Sequence, residues 1–119
     1  MKLYGIKNCD TVKKARAWLD TRHLEYEFHD LRIDGLNGAM IDRWLNSVDV
    51  DLLLNRRSTT WKSLDSDVRE NLPASEIPGL LIANPTLVKR PVLEGNGGVV
   101  VGFNEKTYNG FFGFQEFDE

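Results

Sequence analysis

With 119 residues, 41% of them hydrophobic and 28% charged, the chain has the composition of an ordinary folded domain large enough to bury a core without cross-links. Its one cysteine excludes an internal disulfide, and a net charge of −3 with acidic and basic side chains interspersed gives no electrostatic footing for nucleic acid. No stretch has the length and apolarity of a signal peptide or a membrane span, so a cytoplasmic location is the default expectation.

Met1 to Ile6 reads as a short buried strand, Lys7-Asn8 as a turn, and Asp10 to His23 as a helix in which Val12, Ala15 and Leu19 recur at helical spacing. Cys9 therefore falls at or just before a helix start. The first main-chain N–H groups of a helix lack internal partners, and its macrodipole carries partial positive charge there. Both favour a thiolate over a thiol, as do the flanking Lys7 and Lys13. Asp10 opposes ionisation, and burial as an inert thiol is the commoner fate of a lone cysteine. The polar neighbours Lys7, Asn8 and Asp10 argue instead for a reactive one, which makes Cys9 the candidate nucleophile.

Glu25 to Asp30 alternates polar and apolar residues with the period of a strand. A helix between two strands predicts a parallel βαβ unit, which sets the Cys9 loop at the carboxyl end of the first strand, where open α/β sheets bind ligands. Arg32 to Gly35 marks a turn, and Asn37 caps a helix whose Ile41, Trp44, Leu45 and Val48 repeat at i, i+3, i+4 and i+7. Val50 to Leu54 is a short apolar piece of one or two helical turns, leading into the polar, basic loop Asn55 to Trp61. Arg56 and Arg57 in that loop read equally as a solvated charge pair and as an anion-binding pair. A helix from Asp65 to Leu72, capped by Asp65 or Ser66, is stopped by Pro73; Ser75 caps another that runs to Asn84 and ends at Pro85.

Val88 to Glu94, the turn Gly95 to Gly98, and Val99 to Phe103 predict an antiparallel hairpin with Pro91 at the entry of its first strand. Asn104 caps a last helix with Tyr108, Phe111 and Phe112 turned inward, and the chain from Gly113 on, including the acidic run Gln115 to Glu119, is expected to be loosely held. Trp18, Trp44 and Trp61 are expected in the core or at its rim. His23 and His29 are expected at the surface or at a strand edge; with one cysteine and no ligand-spaced carboxylates, no metal site is expected.

Four segments carry a resemblance: Tyr4-Gly5-Ile6-Lys7-Asn8-Cys9-Asp10-Thr11, Leu53-Leu54-Asn55-Arg56-Arg57-Ser58-Thr59-Thr60-Trp61, Asn84-Pro85-Thr86-Leu87-Val88-Lys89-Arg90-Pro91-Val92, and Val101-Gly102-Phe103-Asn104. In this order and spacing the chain resembles the ArsC/Spx family of thioredoxin-like proteins, and within it the YffB-type members. The fold implied is a single α/β domain over residues 1–119: a four-stranded mixed thioredoxin-like sheet, β-α-β then β-β-α, with a helical insertion at about 37–84.

The activity implied is that of a glutathione-dependent thiol/disulfide reductase. Cys9 would attack an oxidised substrate, either a small-molecule or protein disulfide or an arsenate-like oxyanion, with Lys7, Asn8, Arg56, Arg57, Arg90 and Pro91 holding glutathione or another anion. Arsenate reductases of the family surround the cysteine with three arginines, of which Arg90 matches the middle one. Strict register sets Asn55 at the first, with Arg56 and Arg57 beside it, and no arginine stands at the third, Gly102-Phe103. Arsenate would lack one charge-assisted hydrogen bond there, worth ~1.5–3 kcal/mol, so arsenate reduction is the weaker alternative. The resemblance also implies a cis Arg90-Pro91 bond and an Arg90 main chain that pairs with an extended thiol ligand.

Val12 stands where relatives with a Cys-x-x-Cys motif carry their second cysteine. A mixed disulfide on Cys9 is then resolved from outside, by glutathione, a glutaredoxin or a partner thiol. The same resemblance supports a different class of function, an Spx-like regulator that docks to RNA polymerase. A monomer with no nucleic-acid or membrane partner is expected.

Overall fold

In a computed structural model, which describes residues 1–114, four short strands form one sheet: β1 (Lys2–Gly5), β2 (Glu27–Asp30), β3 (Val92–Gly95) and β4 (Gly98–Val101), in the order β2-β1-β3-β4. β1 pairs in parallel with β2, Leu3 opposite Phe28, while β1 with β3 and β3 with β4 are antiparallel. This is the mixed thioredoxin-like sheet that the sequence predicts. The expected acidic end, Gln115 to Glu119, lies outside the described residues. No helix among the described residues is long and apolar enough to cross a membrane.

The chain divides into two compact units, Met1–Asp30 with the chain from Arg90 onward, and Leu31–Lys89. In the first, α1 (Asp10–Thr21) turns Val12, Ala15, Trp18 and Leu19 inward, the stripe that its sequence period requires. Leu3, Leu93, Ala15, Trp18, Leu19 and Tyr108 form the core, with Phe28, Val100, Phe103 and Phe112 packed around it. Each large apolar side chain sealed there contributes roughly 1.5–3 kcal/mol. His23, at φ 56, ends α1 in a left-handed conformation. Predicted from Glu25, the second strand begins at Glu27, because β1 begins at Lys2 and leaves residues 25 and 26 no strand to pair with.

The hairpin turns on Asn96 and Gly97, at φ 50 and 75, the two positive values that a type I′ turn needs. Its first strand is shorter than predicted, starting at Val92 and not Val88. Val88 instead bridges to Leu54, the Lys89 N–H donates to the Leu53 carbonyl at 2.7 Å, and Pro91 has no N–H to donate. α7 (Glu105–Phe112) is capped by Asn104, whose side-chain oxygen accepts from the N–H groups of Lys106 and Thr107 at 2.9 and 3.3 Å. It buries Tyr108 fully, leaves Phe111 and Phe112 half-buried, and ends on Gly113 at φ 72. The Tyr108 hydroxyl finds no partner among the described residues, and burial pushes its phenol above the usual tyrosine range.

The second unit holds α2 (Gly38–Ser47), α3 (Val50–Leu53), α4 (Thr59–Ser63), α5 (Ser66–Glu70) and α6 (Ile77–Ala83). Asn37 caps α2 as predicted, accepting from the Met40 N–H at 3.0 Å. The stretch read as loop to Trp61 contains α4, started by Ser58, whose hydroxyl accepts from the Trp61 N–H at 3.1 Å. α5 stops at Glu70 rather than Leu72, since the residue before Pro73 is disfavoured in helical conformation. Ser75 is not a cap: it lies inside a 3₁₀ turn, Ala74–Glu76, that runs directly into α6. Trp44 and Trp61 are buried in this unit and Trp18 in the other, as core residues.

Candidate active site

Cys9 is the N-cap of α1, with extended φ and ψ of −106° and 123°. Its carbonyl accepts the Lys13 N–H at 3.0 Å, the first bond of the helix. Its own N–H donates to the Ile6 carbonyl at 3.2 Å, which closes a four-residue turn with Lys7 and Asn8 at its exposed centre. The thiol is half-buried and free, and it makes no capping bond, so the sulfur is not spent on the helix it starts.

The loop leaves the carboxyl end of β1. Because β3 runs antiparallel to β1 with Val92 opposite Tyr4, the residues just before Val92 belong to that same end of the sheet. They are Arg90, half-buried, and Pro91, buried, joined by a cis peptide bond. The Pro91 carbonyl accepts from the Gly102 N–H at 2.7 Å. Lys7, Asn8, Cys9, Arg90 and Pro91 thus share one end of one sheet. Gly102 and Phe103, just past β4, stand there too, and Phe103 packs edge-on against Trp18 and Tyr108.

One residue that sequence reasoning passed over joins them. Asp30, 4% exposed, is the one buried charged side chain among the described residues, and its Oδ2 accepts from the Lys7 N–H at 3.2 Å. Strand parity was the available signal, since position 30 shares the inward face of Phe28, where a carboxylate is out of place unless it has a task.

Arg56 and Arg57 lie in the second unit, both exposed. Asn55 organises their loop: its N–H donates to the Leu87 carbonyl at 2.7 Å, its side-chain oxygen accepts from the Arg57 N–H at 3.2 Å, and its carbonyl accepts from the Ser58 hydroxyl at 2.9 Å. Arg56 is paired with Asp51 at 2.7 Å. The Arg57 guanidinium has no such partner among the described residues. Asp51, Leu54, Asn55, Arg56, Arg57 and Lys89 line a cavity of about 300 Å³, so Lys89, not singled out from sequence, supplies a third cation. Among the described residues no three His, Cys, Asp or Glu side chains are grouped to hold a metal ion.

Residues 4–111 match the ArsC family. An arsenate reductase (ArsC) related protein from Brucella melitensis, known from a solution structure, is 47% identical, with 93% of this chain and 92% of that one covered and a TM-score of 0.74. The YFFB protein is 40% identical, over 92% of this chain and 96% of its own, with a TM-score of 0.86. The global transcriptional regulator Spx of Streptococcus mutans is 30% identical over 92% of this chain and 80% of the regulator. The family match runs from the first strand into the last helix and contains the cysteine turn, the arginine loop and the cis proline: the chain belongs to the ArsC family, as an arsenate reductase-like or Spx-like protein.

Proposed function

We propose that this protein is a glutathione-dependent thiol/disulfide reductase with Cys9 as its nucleophile. The observation that carries the reading is the half-exposed, unbonded thiol at the N-cap of α1, where main-chain N–H groups and the helix dipole favour an anionic sulfur. The Cys9 thiolate attacks one sulfur of a disulfide R–S–S–R′, forming Cys9–S–S–R and releasing R′–S⁻. One glutathione thiolate then displaces R–S⁻ to leave Cys9–S–S–glutathione. A second, or a glutaredoxin, attacks the glutathione sulfur and frees Cys9; with glutathione, the products are two reduced thiols and one oxidised glutathione. External thiols are required, because the chain has no second cysteine.

The cavity lined by Arg56, Arg57 and Lys89 offers charge of the sign that glutathione carboxylates need. Lys7, Asn8, Arg90 and Pro91 are assigned to the thiol end of the ligand. A disulfide is favoured over arsenate as substrate, since the third arginine of the arsenate reductases is replaced by Gly102 and by a Phe103 engaged in aromatic packing. The test is intact-mass spectrometry after incubation with oxidised glutathione. One glutathionyl adduct is expected on the wild type, absent from Cys9→Ser and removed by reduced glutathione or glutaredoxin. Absence of the adduct on the wild type defeats the proposal.

The similarity to Spx favours a second reading, action by docking to RNA polymerase. Capture of the polymerase α subunit, retained by Cys9→Ser, would support that reading over turnover; failure of the wild type to bind would remove it.

A further inference from the structure

We infer that Asp30 is a positioning residue for Cys9, acting through the main chain of the turn that carries the thiol. The inference deepens the proposed function and rests on its assignment of Cys9 as nucleophile. Asp30 is the last residue of β2, opposite Gly5 in the parallel pairing, so its carboxylate stands beside the point where the chain leaves β1 for the Cys9 turn. That carboxylate is 4% exposed and accepts from the Lys7 N–H at 3.2 Å. The turn from Ile6 to Cys9 is therefore held at two places, by its closing bond from Cys9 N–H to the Ile6 carbonyl and by Asp30.

The two central residues of the turn, Lys7 and Asn8, are exposed. Cys9 makes no side-chain bond to the helix, so the direction of its Cα–Cβ bond is inherited from this turn. A buried carboxylate is costly to retain unless it is hydrogen-bonded, and a bond from a main-chain N–H to an ionised acceptor is among the stronger kinds. Placed two residues before the nucleophile, such a bond fixes the thiol for in-line approach to a substrate sulfur. Loosening it lets the sulfur sample directions from which attack is slow.

The experiment compares wild type, Asp30→Asn and Asp30→Ala by two readouts, alkylation of Cys9 with iodoacetamide and hydrogen exchange of the Lys7 amide. Asparagine keeps an acceptor oxygen and should hold the alkylation rate to within about twofold, while alanine lowers it about tenfold and exposes the Lys7 amide to exchange. Equal losses in both variants, or no loss in alanine, would overturn the inference. Should Asp30→Ala not fold, the wild type still decides: its Lys7 amide must exchange more slowly than that of Asn8, and equal rates would refute the anchor. Iodoacetamide needs no glutathione, so a missing glutathionyl adduct on a protein that shows the Asp30 effect sinks the glutathione reading alone.

Discussion

A Cβ atom built on Gly5 would lie 2.8 Å from one methyl carbon of Val12 and 3.0 Å from the other. Gly5 closes β1 and Val12 sits in the first turn of α1, so this close approach seats the helix start, with Cys9, directly on the strand. Gly5→Ala should destabilise the fold by about 1–3 kcal/mol through overpacking, read by urea denaturation. Adding Val12→Ala removes the obstructing methyls, so the double variant should lose less than the two single losses combined. Strictly additive losses would deny the contact its role.

Tyr108 gives the protein an alkaline weakness. In the unfolded chain its phenol ionises near ~10, whereas burial holds it protonated to higher pH in the folded state. The unfolded state thus binds fewer protons above ~10, and stability that is fully present below that pH is lost as it rises toward the folded value. Tyr108→Phe should flatten this decline by up to about 1.4 kcal/mol per pH unit, the full slope being reached a unit or more above ~10. At neutral pH it should cost nothing, because the hydroxyl it deletes is buried without a partner among the described residues. Urea unfolding of both proteins at pH 7 and above pH 10 checks the two statements, and parallel curves would contradict the first.

The two arginines of the Asn55 loop should not be equivalent. Arg56 is engaged by Asp51 at 2.7 Å, whereas the Arg57 guanidinium has no ion-pair partner among the described residues and is the one that the proposed function offers to a carboxylate. Arg57→Ala should slow glutathionylation of Cys9 about tenfold, and Arg56→Ala less than about threefold, a difference that shrinks as added salt screens exposed charges. Rates followed by mass spectrometry at two ionic strengths would decide it; a larger loss from Arg56→Ala would reverse the assignment.

Local chemistry made much of this fold legible. Cys9 at a helix start followed from the apolar spacing of Val12, Ala15 and Leu19, and the caps Asn37 and Asn104 and the Asn96-Gly97 turn announce themselves by residue type. Where the sequence reading missed, a distant partner or a competing local turn decided the outcome. Val88 looks like the start of a strand but pairs with Leu54, a neighbour that sequence period cannot supply. Ser75 has the right type for a cap, yet the 3₁₀ turn around it leaves no extended residue to do the capping. Asp30 breaks the alternation of its strand by setting a carboxylate on the inward face of Phe28, but nothing local says that the Lys7 N–H will face it.

The proposed reaction is the turnover of disulfides by Cys9 at the expense of glutathione. Its most direct measurement is oxidation of NADPH in the presence of glutathione, glutathione reductase and a small mixed disulfide, with wild type and Cys9→Ser compared at equal concentration. Sustained, enzyme-dependent turnover is expected of the wild type, and only the uncatalysed rate of Cys9→Ser. Identical rates from the two proteins would contradict the proposed reaction.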